Sequence, residues 1–287
     1  MASRQQIKRR IGSVKNTKQI TRAMQLVAAS KLRRAQEAVA LPRPYAQAAN
    51  ELLATLQSLT SPSDPEARYF ERRVVKRRLI VLITSTQGLA GAYDANVLRE
   101  FFTIAKADQE KGIKTAVICL GRKGAIAAGK LKDVEIIAAY SALPDHPSEE
   151  FVQPLITTIT EQFTSGNVDA VNLLYTQFIS MVRQSIENHE LLPAGTETTT
   201  NKPEPLVEPS VGEVLETVTA RLIGVQLYQA LLDAIASEQS MRMLAMKNAT
   251  DNANDLIDAL TLAYNTARQA AITQELAEIT GGAEAMA

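Results

Sequence analysis

Between residues 7 and 39 the hydrophobic positions recur mostly every three or four residues: Ile7, Ile11, Val14, Ile20, Met24, Val27, Leu32, Ala35 and Val39. With strong helix formers between them, this spacing predicts one long amphipathic helix. Pro42 and Pro44 are able to kink it, yet QAANELLATLQSL resumes the period to about Leu59, and SPSDPEA ends it. A second stripe runs through Leu215, Val218, Leu222, Val225, Leu232, Ile235, Leu244, Leu256, Leu260 and Ala267, with no proline between residues 211 and 279. A helix of that span is on the order of 100 Å long, too long for the core of a globular domain, and is expected to project.

Residues 77–192 follow a different pattern. RLIVLIT, KTAVICL, VEIIA, VNLLY and SIENHEL are short runs, mostly rich in β-branched residues, with helical stretches near residues 95–110, 121–130 and 148–163 between the first four. Such alternation predicts an open, Rossmann-like α/β sheet. PAGTETTTNKPEPLVEPS follows as a loop rich in Pro and Thr. The domain reading is therefore a helix over 1–59, an α/β domain over 77–192, a linker over 193–210 and a helix over 211–287. If both terminal helices dock on the α/β domain and extend the same way, they form an antiparallel coiled coil with a globular foot. With Leu53 opposite Leu215, opposed residue numbers sum to about 268. Small residues, Ala23, Ala28, Ala35, Ala38, Ala263, Ala267 and Ala270, are expected along the seam.

Charge adds a contrast that composition hides. Lys plus Arg and Asp plus Glu both total 31 in the 287 residues. Yet residues 1–43 hold eleven cations against Glu37, residues 211–287 carry ten acids against four cations, and the remainder has a net charge of −4. The two ends are electrostatic complements, although exposed pairs contribute only about 0–1 kcal/mol each.

Few residues offer chemistry. His146 and His189 are too few for a zinc site or a histidine-based triad, and Cys119 alone forms no internal disulfide. No cofactor or metal is expected. Gly88 and Gly91 follow the first strand where α/β sheets bind ligands, but the third glycine of a dinucleotide motif and a Gly-Lys-Ser/Thr ending are missing, so a plain βα turn is preferred. Asp251, Asp255 and Asp258, with Asn248 and Asn252 nearby, are read as a solvated helix face, and Tyr175, Tyr228 and Tyr264 as packing residues. The basic first helix has no aromatic residue before Tyr45 and faces an acidic partner helix, which disfavours nucleic acid. No apolar run reaches the roughly 18 residues of a membrane span, and the N-terminus lacks the apolar core of a signal peptide, so a reducing, cytoplasmic setting is expected.

IKRRIGSVKNTKQITRAMQLVAASKLRRAQ (7–36), ASEQSMRMLAMKNATDN (236–252) and YNTARQAAITQELAEITGGAEA (264–285) closely resemble the terminal helices of the gamma chains of bacterial-type F-type ATP synthases. TSTQGLAGAYDANV (84–97) resembles a segment of their α/β domain. The resemblance implies a non-catalytic central rotor shaft, one copy per complex, of a proton-translocating ATP synthase. Its partners would be the alpha and beta chains of the catalytic hexamer, the epsilon chain and the membrane c ring, and its place the cytoplasmic face of the cell membrane. By motif, Met24, Glu238 and Arg242 resemble the collar against beta, and Arg268, Gln269, Thr273 and Glu275 the upper contacts with beta loops. Leu206, Val207 and Glu208 resemble the foot segment over the c ring. Arg9, Arg10, Arg33 and Arg34 are expected to face acidic segments of beta. The cysteine-bearing regulatory insert of the plant-chloroplast relatives is absent, so thiol control is not expected. The alternatives are a nucleotide-dependent α/β enzyme with helical arms and a basic coiled-coil nucleic-acid binder.

Overall fold

A computed structural model describes residues 4–40, 43–59, 68–194 and 211–284. The chain divides into two compact units, one of residues 29–241 and one of residues 1–28 with 242–287. The first long helix is split: α1 spans Arg4–Ala40 and α2 spans Arg43–Leu59. Pro44 falls in the first turn of α2, where a missing N–H costs nothing.

Residues 29–241 are built on five strands, β1 (Arg77–Ile83), β2 (Lys114–Leu120), β3 (Val134–Tyr140), β4 (Ala170–Phe178) and β5 (Gln184–Leu192). The helices α3 (Tyr93–Glu110), α4 (Arg122–Ala128) and α5 (Glu149–Thr164) connect the first four strands in turn. Spatial order is β3-β2-β1-β4-β5. The first four strands are parallel, and β5 returns antiparallel along β4. Alternate residues of the central strands feed two cores. Leu79, Val81, Ile83 and Ile118 pack with α5 and with the last helix, α6 (Val211–Glu284). Ile80, Leu82, Val117 and Cys119 pack with Val97 and Phe101 of α3 and Ala128 of α4. A sheet covered on both faces explains why the strands read as continuous apolar runs. Gly121 is required where β2 turns into α4: its φ is +102° and a Cβ there would lie 2.1 Å from the Thr84 carbonyl oxygen.

One expectation fails inside this unit. Far from only projecting, α6 is buried on every side from Gln229 to Ser240. Its Ile223, Leu227, Leu231 and Ala234 belong to the sheet's core, and several of its polar residues find partners within the unit. Ser237 Oγ donates to the Thr176 carbonyl (3.1 Å), Ser240 Oγ to that of Met181 (2.8 Å), and Gln229 Nε2 to Asp233 Oδ2 (3.1 Å). A helix longer than its domain is thus a core element over a few of its turns.

In the other unit, Ile7, Ile11, Val14, Lys18, Thr21, Gln25 and Ala28 are the buried or half-buried positions of α1, at strict four-three spacing. Met246, Thr250, Ala253, Ile257, Leu260, Tyr264, Ala267 and Ala271 form the matching series on α6. A 3.5-residue period is that of a left-handed coiled coil. The Thr21 and Thr250 hydroxyls lie 2.8 Å apart in its interior. Lys15, Lys18 and Gln19 share a groove with Asn254, Ile257 and Asp258, so the helices run antiparallel. Thr21 opposite Thr250 sets a sum of 271, three residues beyond the expected 268. The side chain of Leu215, which anchored that expectation, lies outside the described residues.

The seam also departs from the apolar stripe. Ile20, Met24 and Val27 are 55%, 41% and 57% exposed, and Leu244 and Leu256 are exposed as well. Counting by 3.5 from Ile7 lands on Thr21, Gln25 and Ala28, so the apolar residues beside them fall on the outer face. Among the alanines, Ala28, Ala35, Ala38 and Ala267 are buried or half-buried, whereas Ala23, Ala263 and Ala270 face outward. Beyond Ala271 every residue to Gly281 is exposed.

The hydroxyl pair yields a double-mutant cycle. Thr21 Oγ1 also lies 3.1 Å from the Lys18 carbonyl oxygen, and Thr250 Oγ1 lies 2.8 Å from that of Met246, so each single valine removes the bond between the helices while the remaining hydroxyl keeps a carbonyl of its own helix. Thr21→Val and Thr250→Val are each expected to cost about 1 kcal/mol in urea unfolding, and the double variant less than their sum by roughly 0.5–1 kcal/mol. Strict additivity would show that the hydroxyls do not act as a pair.

Candidate functional site

β1 delivers Thr84 and Ser85 to the end of the sheet where α/β folds bind ligands. The Ser85 N–H donates to Asp94 Oδ1 (2.9 Å), and its hydroxyl lies 2.6 Å from Asp94 Oδ2. Asp94 stands in the first turn of α3, where the helix dipole favours an anion. The chain's own carboxylate therefore takes the place a phosphate would occupy, and a second anion there would be repelled by it. Leu89 and Gly91, at φ 65° and 59°, shape a tight turn around that contact. These are the features of a structural βα turn.

The other sequence candidates are scattered rather than gathered into one reacting centre. Cys119 is fully buried. His189 Nε2 lies 3.3 Å from Gln226 Oε1. Asp251, Asp255 and Asp258 are all exposed, and no three potential metal-ligating side chains converge among the described residues. What the helical segments do present is surface. Arg268, Gln269, Thr273 and Glu275 are exposed on α6, and the Thr273 hydroxyl donates to the Gln269 carbonyl (3.0 Å). Arg9, Arg10, Arg33 and Arg34 are also exposed. Lys8, Arg9, Arg10, Lys15, Lys18 and Arg22 form no ion pair among the described residues, so the opposite charges of the two ends are not spent on bridges involving these cations. Among the described residues Arg33 pairs with Glu37 of its own helix, at 3.4 Å.

The proposed collar residues do not share one environment. Met24 is outward-facing, Arg242 is half-buried, and Glu238 is a buried residue of the unit formed by residues 29–241. The observed register places Met24 level with Lys247 rather than Leu244, about 4–5 Å farther along α6. Leu206, Val207 and Glu208 lie outside the described residues. Sequence reasoning missed the Lys31–Asp145 pair (2.7 Å), because nothing in the spacing brings the loop before α5 to α1. It also missed the outward turn of Ile20, Met24, Leu26 and Val27, although an unbroken 3.5-residue count would have found it.

A family model described as ATP synthase matches residues 3–286. The ATP synthase gamma chain of Stenotrophomonas maltophilia (strain R551-3) is 41% identical over 290 residues, covering all of both chains. The gamma chain of Flavobacterium johnsoniae is 39% identical over 289 residues, covering all of this chain and 99% of the relative. The chain belongs to the ATP synthase gamma chain family. Its fold recurs at lower identity in solved structures. A chain of the Euglena gracilis mitochondrial ATP synthase (OSCP, F1 and c ring, rotational state 3) aligns with a TM-score of 0.69 at 17% identity, covering 98% of this chain and 93% of that one. A chain of the central stalk and c ring of the Tetrahymena thermophila mitochondrial enzyme gives 0.60 at 24% identity, covering 80% and 99%.

Burial pushes the Cys119 thiol up to about 11, so the thiolate needed for oxidation or alkylation is scarce at neutral pH. The folded form favours the protonated thiol. This contribution to stability is complete below the unfolded thiol's ordinary range and is lost as pH rises through about 11. At pH 8 an aromatic disulfide reagent is expected to release no chromophore until denaturant unfolds the chain, and then one equivalent. Full reaction of the folded protein would show that Cys119 is accessible.

Proposed function

We propose that this gamma-family chain is the central rotor shaft of a proton-translocating F-type ATP synthase, coupling rotation of the c ring to ATP synthesis and hydrolysis on the beta chains without catalysis of its own. The observation that carries the reading is the inversion in the helical pair. Lys18, Thr21 and Gln25 face the seam, while Ile20, Met24, Val27, Leu256, Leu262, Ile272, Leu276 and Ile279 face outward. Apolar surface spread along a helix pair is characteristic of a segment enclosed by partners, and an apolar outer surface lets a shaft turn within a sleeve without breaking fixed bonds at each step.

In this reading the alpha and beta chains form the sleeve, and Met24 and Arg242 belong to the collar region against beta, whereas Glu238, buried within the unit of residues 29–241, does not present itself to a partner. Arg268, Gln269, Thr273 and Glu275 meet beta loops near the tip. Thr273 serves chiefly its own helix, so Arg268 and Gln269 are the principal donors. Arg9, Arg10, Arg33 and Arg34 offer unspent or weakly paired cations to acidic segments of beta. Leu206, Val207 and Glu208, assigned by resemblance alone, would meet the c ring, with the epsilon chain bound nearby. No helix among the described residues is long and apolar enough to cross a membrane. Attachment to the cytoplasmic face then comes through the complex, with one copy of the chain in each.

Reconstitution with alpha and beta chains tests the assignment. The intact chain is expected to co-purify with both in fixed ratio and to show no ATPase alone. Deleting residues 277–287 should weaken assembly while leaving ATPase in the complexes that form. Arg268→Leu with Gln269→Leu should assemble and lower turnover roughly tenfold through lost hydrogen bonds to beta. Turnover by the isolated chain, or failure to bind alpha and beta, would overturn the reading.

A further inference from the structure

At the end of the sheet where β1, β2 and β3 begin, α3 and the strand ends enclose an open groove of about 680 Å³. Its apolar surfaces come from Phe102, Ile113, Leu131 and Val134, of which Phe102 is 40% exposed. Three lysines rim it from three elements: Lys106 of α3, Lys114 of β2, and Lys132 in the turn before β3. Two acids also line it: Glu135 pairs with Arg77 at 2.7 Å, and Asp133 accepts from the neutral Gln109 amide at 2.9 Å and keeps its charge, so the lining holds four cations against two carboxylates. Lys106 has only a 3.9 Å approach to Glu110, and Lys114 and Lys132 make no ion pair among the described residues. The cationic rim stands in a stretch, residues 44–210, whose net charge is −4.

We propose that this groove docks an acidic, partly apolar polypeptide segment of another protein, its apolar side chains on Phe102 and Leu131 and its carboxylates on Lys106, Lys114 and Lys132. A volume of this size takes a few side chains rather than a folded domain. A compact phosphate ligand fits less well. The groove lies at the beginnings of the strands, away from the end where α/β sheets present backbone amides, and α3 offers it a helix C-terminus, whose partial negative charge repels an anion placed against it. Carboxylates spaced along a chain reach the lysines from above without approaching that terminus. A flat anionic lipid surface would satisfy the lysines but leave the concave apolar floor unfilled.

In the test, Phe102 is replaced by the photo-crosslinker p-benzoylphenylalanine in the full chain. Irradiation is carried out in intact cells, so the adduct is read whether or not the chain co-purifies with alpha and beta chains, and failure of the rotor reading is distinguishable from failure of this one. One protein adduct is expected, mapped by mass spectrometry to a segment rich in Asp and Glu with interspersed apolar residues. Lys114→Glu with Lys132→Glu in the same background should lower its yield roughly tenfold, and Lys114→Arg with Lys132→Arg should retain it. All four substitutions are of exposed residues, and circular dichroism verifies the fold. Absence of a protein adduct, an adduct to lipid, an adduct to a segment without acids, or equal yield in the glutamate variant would each overturn the proposal.

Discussion

A strict 3.5-residue count governs which side chains α1 and α6 turn toward each other, and in this chain the count falls on residues poorly suited to hold two helices together. After Val14 and up to Ala28 the buried or half-buried levels of α1 are Lys18, Thr21, Gln25 and Ala28. A seam of that composition removes less apolar surface from water than leucine or isoleucine at the same levels, by roughly 25 cal/mol for each Å² forgone. The Thr21–Thr250 pair specifies register, as buried polar pairs do in coiled coils generally, at a cost in stability. The apolar residues displaced from the seam are left on the outside. One constraint thus yields a helix pair that is modestly held by its own contacts and well suited to be held by others.

The α/β unit obeys the opposite rule. β1 is buried on both faces, and the middle of α6 is buried on all sides. That placement is stable because Ser237 and Ser240 donate to carbonyls of Thr176 and Met181 instead of being stranded. Arg78 spans three elements in the same way, donating to Asp108 of α3 at 3.0 Å and to Asn172 of β4 at 2.8 Å. The loop that resembles a nucleotide site is closed by Asp94 on Ser85. These polar groups are thereby turned into structural contacts.

The strands were legible in the sequence because a parallel sheet covered on both faces demands continuous β-branched runs, and RLIVLIT and KTAVICL have no competing reading. Both long helices were legible from proline placement. Register was not: Ile20, Met24 and Val27 look like a continuation of the stripe, and apolarity alone cannot tell a seam from an outer face covered by another protein. The all-round burial of α6 was hidden for the converse reason, since Gln229, Asp233, Glu238 and Gln239 look solvated until the partners around them are known. Arg268 and Gln269, assigned by resemblance, and Arg9 and Arg10, assigned from charge, are exposed, whereas Glu238 is enclosed within the α/β unit.

The central claim is that this chain turns inside a stationary sleeve. The most direct measurement fixes the alpha and beta chains of a reconstituted complex to a surface, attaches a bead to a cysteine placed at an exposed position of the α/β unit such as Val182, and follows the bead while ATP is supplied. The account predicts continuous rotation in one direction that stops when ATP is removed. A complex that hydrolyses ATP while the bead stays still would contradict it.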